Sequence, residues 1–296
     1  MSYVRPTDLD ELVRARADHP DWLIVAGGTD VMVPINFGRL RPPGVIDVTR
    51  VTGLDAVERR EGGIRLGAGV TFARIEKDLA GVLPGLAVAA RAVASPQIRA
   101  VATIGGNLGT GSPAGDAHPF LLAADATVEL RSVRGTREVP CVGFFVGPGR
   151  TDLAEDEVIA SVHVPLSGDM SQQFAKIGTR NAMVIAVASL GLVIDWSARR
   201  AGVGLGSVGP TPLRAAEAEH YLNEALWGAS TADDRDSRAV VLTQGDIDEF
   251  ARLVAEATRP IDDVRGTADY RRHTVKLMAQ RCLGWALQER GVVRPC

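Results

Sequence analysis

The sequence reads as an α+β protein in two parts. Its 296 residues suit about two domains at roughly 150 residues each. Short apolar or alternating runs closed by glycine or proline interleave with patterns of helical period, which calls for small sheets and short helices. The polar stretch Leu166 to Gln173 (LSGDMSQQ) separates the two parts, giving domains at 1–166 and 167–296. The second part reads as a small sheet covered by helices.

Asp8 to Arg16 places Leu9, Leu12 and Val13 on one helical face behind a Thr or Asp cap. Trp22 to Val25 is an apolar strand that runs into Ala26-Gly27-Gly28, and Thr29 to Ile35 begins a helical turn. Gly44 to Val48 and Gly63 to Gly69 are short strands. Thr71 to Leu79 and Leu83 to Ala94 are helices, the second stopped by Ser95-Pro96, because proline disfavours the helical region for the residue before it. A glycine-rich stretch to Asp116 precedes an apolar helix, His118 to Ala124. Thr127 to Val133 pairs with Arg137 to Val142 as a hairpin, and Glu157 to Pro165 is a further strand. Beyond the boundary, Phe174 to Gly178, Val184 to Asp195 and Gly202 to Val208 are strands. Thr211 to Leu222, Asp246 to Ala257 and Thr267 to Glu289 are helices, and Ala229 to Gln244 is a surface loop.

Composition excludes several function classes. With 33 Lys+Arg against 36 Asp+Glu, the chain lacks the clustered basic patch that nucleic acid requires. The longest nearly apolar stretch, Ala182 to Ile194, is too short for a membrane-spanning helix of about 20 residues. The N-terminus has no apolar core of a signal peptide, so a cytoplasmic location is expected. Cys141, Cys282 and Cys296 lie far apart without a CxxC spacing, which proposes no disulfide framework, zinc site or cluster. His118 and His163 have no nucleophile–base–orienter set around them and read as structural.

The 32 glycines are where chemistry is sought, above all the doublets in Ala26-Gly27-Gly28-Thr29-Asp30 and Thr103-Ile104-Gly105-Gly106-Asn107. A pyrophosphate brought against a main chain needs positions without Cβ and N–H groups free to donate. Each doublet supplies half of such a cradle, or else an ordinary tight turn. Neither is a Rossmann GxGxxG or a GxxxxGK[ST] loop.

Five motifs in order carry a resemblance: AGGTDVMVP (Ala26 to Pro34), IRAVATIGGNLGTGSPAGD (Ile98 to Asp116), FFVGPGRTDLAEDEVIASVHVP (Phe144 to Pro165), FAKIGTR (Phe174 to Arg180) and GLGSVGPTPLRAAEAE (Gly204 to Glu219). Over nearly its whole length the chain resembles the FAD-binding medium subunit of the molybdenum hydroxylases, the family of xanthine dehydrogenase and aerobic carbon monoxide dehydrogenase. The resemblance implies a flavin domain of two α/β subdomains, of the vanillyl-alcohol-oxidase or PCMH type, followed by a smaller domain with an antiparallel sheet and helices.

By that resemblance the backbone of Ala26, Gly27, Gly28, Thr29, Asp30 and Val31, and of Thr103, Ile104, Gly105, Gly106 and Asn107, holds the FAD pyrophosphate. Thr29, Thr103 and Thr110 add hydroxyl donors. Asp116 matches an adenosine-side or ribose-side carboxylate, with an N-cap of the following helix as the alternative. Ile159 is placed against the isoalloxazine, and Lys176 where its ammonium favours negative charge on the reduced ring, the alternative being a strand lysine facing solvent. Asn107 matches a polar residue near the flavin or a left-handed turn. Gly204 to Arg214 shapes a turn. The implied activity is electron transfer, from an iron–sulfur small subunit through FAD to NAD or another acceptor, with substrate hydroxylation on a molybdopterin large subunit. Molybdopterin and the iron–sulfur (2Fe-2S) clusters then sit on partner subunits only, in a dimer of heterotrimers. A purine or heterocycle hydroxylase of the xanthine dehydrogenase kind is the leading expectation. A carbon monoxide dehydrogenase medium subunit and a self-contained FAD oxidoreductase are the alternatives.

Overall fold

The computed structural model describes residues 2–228 and 242–291. The first subdomain is a three-stranded parallel sheet of order β1-β3-β2, with β1 Ser2–Val4, β2 Leu23–Val25 and β3 Gly44–Asp47. Helix α1, Leu9–Asp18, begins at Asp8, whose side chain accepts from the Glu11 amide, as an N-cap does. It buries Leu12 and Val13 with Ile46 and Val48. The short α2, Met32–Asn36, follows the first glycine turn.

The second subdomain is a five-stranded antiparallel sheet. It comprises β4 Val57–Arg60, β5 Gly63–Gly67, β6 Thr127–Ser132, β7 Gly135–Pro140 and β10 Val158–Pro165, in the order β4-β5-β10-β6-β7. Five helices pack on it: α3 Phe72–Asp78, α4 Pro84–Arg91, α5 Pro96–Val101, α6 Ile104–Thr110 and α7 His118–Ala123. Ile64, Leu66, Val128, Leu130, Val162 and Val164 bury one sheet face against Phe72, Ile75, Leu86 and Phe120, the alternation expected of a half-covered antiparallel sheet. Helix α8, Cys141–Phe144, and the ribbon of β8 Phe145–Gly147 with β9 Arg150–Thr151 complete it.

The C-terminal part is a four-stranded antiparallel sheet, β11 Met170–Gly178, β12 Ala186–Asp195, β13 Arg200–Gly206 and β14 Leu213–Arg214, in sequential order. Helices α9 Ala216–Trp227, α10 Gln244–Glu256 and α11 Ala268–Glu289 share its core. Helix α7 of the second subdomain packs on β12 and β13 as well. All ten residues of β12 are therefore buried, the physical reason for its unbroken apolar run.

Several elements differ from the sequence reading. Strand β11 begins at Met170, inside the stretch read as a loop, because its polar residues find buried partners: Ser171 Oγ accepts from Trp196 Nε1 at 3.0 Å and Gln172 Nε2 donates to the Val82 carbonyl at 3.3 Å. The helix expected over Thr211 to Leu222 starts later, at Ala216, since Leu213 and Arg214 pair with Leu205 and Gly204 as β14. The hairpin partner ends at Pro140 and Cys141 opens α8. The glycine-rich stretch before Asp116 holds two helices, α5 and α6. Of the loop expected over Ala229 to Gln244, 229–241 lie outside the described residues, and Gln244 already begins α10 behind a Thr243–Asp246 capping box.

Candidate cofactor-binding site

The first glycine turn leaves β2 and enters α2. Gly28 takes φ +70°, a left-handed conformation natural to glycine. None of the amides of Gly27, Gly28, Thr29, Asp30 and Val31 donates to a protein acceptor. Such a run of unpaired donors, half exposed, fits an anion. Gly27 lacks a Cβ for another reason than the sequence suggests: a Cβ there would stand 2.0 Å from the Val101 carbonyl oxygen. The room is taken by the end of α5 rather than left for phosphate, and the glycine brings the two motifs together.

The second doublet lies in the first turn of α6, capped by Thr103, whose Oγ1 accepts from the Gly106 amide at 3.0 Å. Its amides are not the free donors that the sequence reading expects. Ile104 N donates to the Val70 carbonyl and Gly105 N to that of Ala68, each at 2.9 Å. A Cβ on Gly105 would stand 2.5 Å from that of Ala68. Gly106 and Gly109 are exposed, so this face of α6 is bare backbone. Across the gap, Thr110 Oγ1 reaches Asp30 Oδ2 at 3.5 Å while donating to the Gly106 carbonyl at 2.9 Å. The two motifs thus line one cleft. Ile159, at a bulge in β10, borders it, since a Cβ on Gly109 would lie 3.5 Å from Ile159 Cδ1.

Lys176, on β11, does not face solvent. Its side chain is 8% exposed, and its Nζ donates to Asp116 Oδ2 at 2.7 Å and to the Ala92 carbonyl at 2.9 Å. Nor does Asp116 cap the following helix, whose N-cap is Ala117. Burial raises the Asp116 carboxyl to about 6, with Lys176 working against the rise. Asp116 Oδ1 and Asn107 Oδ1 are buried without partners, as acceptors kept for a ligand would be. Asn107 is helical rather than in a left-handed turn; Gly111 takes that conformation at the end of α6. Asp116 and Lys176, expected at the adenosine side and at the ring of a bound cofactor, are brought into direct contact here.

His118 is fully buried, with Nδ1 3.1 Å from the Ser112 carbonyl and Nε2 3.1 Å from that of Asn107. Burial pulls its imidazole down to about 4, against the two carbonyls, which favour the protonated ring. The sequence reading took His118 as structural but gave no partner for it. The signal was Gly115, whose Cβ would stand 2.1 Å from His118 Cε1. His163 is half-buried in β10 against Gly63.

Free amides on the first glycine motif beside a bare face of α6, with orphaned buried acceptors on Asn107 and Asp116, suit an anionic, hydroxyl-bearing ligand such as a dinucleotide. Residues 1–167 match the FAD binding domain in molybdopterin dehydrogenase, and residues 173–286 the C-terminal domain of the carbon monoxide dehydrogenase flavoprotein. The chain is 28% identical over 298 residues to a xanthine dehydrogenase FAD-binding subunit of Escherichia coli O157:H7, covering 98% of this chain and 97% of that one. It is 31% identical to the nicotine 6-hydroxylase medium subunit of Paenarthrobacter nicotinovorans, over 95% of both. Among solved structures, a chain of carbon monoxide dehydrogenase from Hydrogenophaga pseudoflava matches with a TM-score of 0.86 at 28% identity, over 97% of this chain and 98% of that one. The chain belongs to the family of FAD-binding subunits of the molybdenum hydroxylases. It is an oxidoreductase flavoprotein subunit, and its cofactor is FAD. No helix among the described residues is long and apolar enough to cross a membrane.

Proposed function

We propose that this chain receives electrons from an iron–sulfur small subunit and passes them through FAD to NAD or another acceptor, in a cytoplasmic complex whose molybdopterin large subunit hydroxylates a purine or related heterocycle. The complex is a dimer of such heterotrimers. The observation that carries the reading is the set of five unpaired amides, Gly27 to Val31, on the motif that meets α6 through Asp30 and Thr110. Relatives named as medium or FAD-binding subunits, of nicotine 6-hydroxylase and of xanthine dehydrogenase, support a multi-chain enzyme acting on heterocycles. The likeness to carbon monoxide dehydrogenase favours a second reading, in which the complex oxidises carbon monoxide.

Bound FAD supplies a centre that exchanges electrons singly with clusters or as a pair with a nicotinamide. The protein's part is to bind and orient it. The amides of Gly27 to Val31 hold the pyrophosphate, with Ala26 leading into them and Thr29 adding a hydroxyl. Thr103, Ile104, Gly105, Gly106, Asn107 and Thr110 form the opposite wall. Gly106 admits the phosphate because it has no Cβ there. Ile159 excludes water from the ring, and Asp116 Oδ1 accepts from a cofactor hydroxyl or ring N–H while Lys176 holds the carboxylate ionised. We place the boundary between the flavin domain and the C-terminal domain at 166/167.

Purification of the chain alone tests this. It is expected to retain FAD and to leave purines, heterocycles, aldehydes and carbon monoxide unoxidised until iron–sulfur and molybdenum chains are added. Rapid anaerobic reduction of its flavin by one of those substrates, without partners or metals, would identify the self-contained oxidoreductase instead. A chain that takes up no FAD would overturn both.

A further inference from the structure

His118 is the only fully buried histidine of the described residues, and its surroundings pose a chemical contradiction. Both ring nitrogens lie 3.1 Å from backbone carbonyl oxygens, Nδ1 from that of Ser112 and Nε2 from that of Asn107. Both carbonyls are acceptors. A neutral imidazole has one N–H to give, and its other nitrogen turns a lone pair toward an oxygen; only the imidazolium satisfies both. The seat is built for the ring. Gly115 leaves out the Cβ that would strike it, and Phe145 packs on it with ring centres 4.4 Å apart.

The two carbonyls belong to the two parts of the cleft wall. Asn107 is in the last turn of α6, where Gly111 N donates to the Leu108 carbonyl and leaves that of Asn107 to the histidine. Ser112 opens the loop that carries Asp116. The ring therefore ties the helix that bears Thr103, Gly106 and Thr110 to the loop of the orphaned carboxylate.

The titratable and charged groups near by are few. Elements packed on α7 contribute Arg91 from α4, the buried Cys141 thiol from α8, Lys176 from β11, Asp195 from β12, Arg200 from β13 and Arg214 from β14. Arg200 and Arg214 are engaged by Asp125 beyond the far end of α7. Asp195 accepts from Ser197 and Ala198 in its own turn, and Lys176 is held by Asp116. The ring answers to burial and to the two carbonyls alone.

We propose that His118 is a positioning residue whose protonation is coupled to cofactor loading: in mildly acid solution the imidazole takes one proton from solvent as the anionic dinucleotide binds, and the imidazolium then holds both walls of the cleft, whereas at neutral pH the ring stays neutral. This rests on the FAD reading above. On that reading the pyrophosphate adds negative charge across α6 from the ring, and added negative charge favours the imidazolium over the neutral ring. The C-terminal end of α6 favours a cation as well. No bond other than the N–H is made or broken.

The test uses the full chain stripped of FAD and reloaded. NMR titration of the His118 ring is expected to find its pKa moving from about 4 to about 6 on loading. Calorimetry of FAD binding at pH 5, in buffers of different ionisation enthalpy, then finds close to one proton taken up. The Kd for FAD tightens about tenfold from pH 7 to pH 5, the fold-change that follows from such a rise. Asp116 titrates in the same window with the opposite sign, since its protonation removes a carboxylate acceptor, so His118→Gln is measured in parallel. That variant is expected to lose the proton uptake and the tightening toward acid while it keeps whatever dependence Asp116 contributes. An unmoved His118 titration, or equal proton uptake by wild type and His118→Gln, overturns the proposal although FAD still binds. Absence of FAD binding to wild type sinks the functional reading instead. Should His118→Gln fail to fold, the wild-type titration decides alone.

Discussion

Lys176 and Asp116 form a buried ion pair, with side chains 8% and 12% exposed. Removing one partner of a buried pair costs about 3–5 kcal/mol while the other keeps its charge. Asp116 has an escape, because its carboxyl already sits at about 6 and rises further without the ammonium. A carboxyl raised above its unfolded value stabilises fully below that unfolded value, near 3.8, and loses the contribution as pH rises through its folded value. Lys176→Met is therefore expected to lower the thermal midpoint by several degrees at pH 8 and to recover most of that at pH 5. Thermal unfolding at the two pH values checks it, and an equal loss at both would assign the effect to the lysine's stem. A lysine in the pattern Phe174-Ala-Lys-Ile177 alternates as a solvent-facing strand residue does, so only the motif resemblance pointed inward. What buries it is the Asp116 loop, sixty residues away in the chain, and strand periodicity carries no trace of such a contact.

At the scale of elements, the glycines of the two motifs have separate duties, and substitution separates them. Gly106 is exposed in α6, and an added Cβ meets only Thr103 Oγ1, at 3.1 Å. Replacing a helical glycine by alanine gains about 0.5–1 kcal/mol. Gly106→Ala is thus expected to raise the thermal midpoint of the FAD-free chain by about 1–4 °C while weakening FAD retention, because the methyl enters the cleft. Gly27→Ala is expected to lower the midpoint with or without FAD, since its Cβ collides with the Val101 carbonyl. Flavin content and melting of both variants decide the matter; a Gly106→Ala chain with undiminished flavin would take α6 out of the cofactor wall. Both doublets were visible in the sequence as places of close approach. Which one keeps its amides free was not, because that depends on the Ala68 and Val70 carbonyls, brought up by the end of β5 to occupy the donors of Ile104 and Gly105.

Across the whole molecule, the two parts meet backbone to backbone. A Cβ on Gly204 would stand 2.0 Å from the Pro119 carbonyl oxygen, one on Gly202 2.1 Å from that of Ala123, and one on Gly191 2.7 Å from that of Pro119. Three glycines on β12 and β13 thereby seat α7 directly on the C-terminal sheet. At the end of α7, Asp125 pairs with Arg200 and Arg214 of that sheet, and Arg214 also pairs with Glu219. The sequence reading made Gly202 to Val208 a strand, as β13 largely is, but also assigned Gly204 to Arg214 to a turn, because Gly-Leu-Gly-Ser-Val-Gly-Pro punctuates as loops do. A strand pressed against another backbone has the same composition, and nothing local tells the two apart. The seat also bears on the cofactor, for α7 begins at His118 and β11 of the same sheet supplies Lys176. Gly204→Ala is therefore expected to push α7 off the sheet. Overpacking costs about 1–3 kcal/mol, or roughly 2–12 °C in the thermal midpoint, and FAD retention should fall with it although residue 204 touches no part of the cleft. Limited proteolysis is expected to cut the variant near Leu166 to Asp169, between β10 and β11, faster than wild type. If the variant melts and holds FAD as wild type does, the α7 seat is slack, and the pairing of Lys176 with Asp116 does not depend on it.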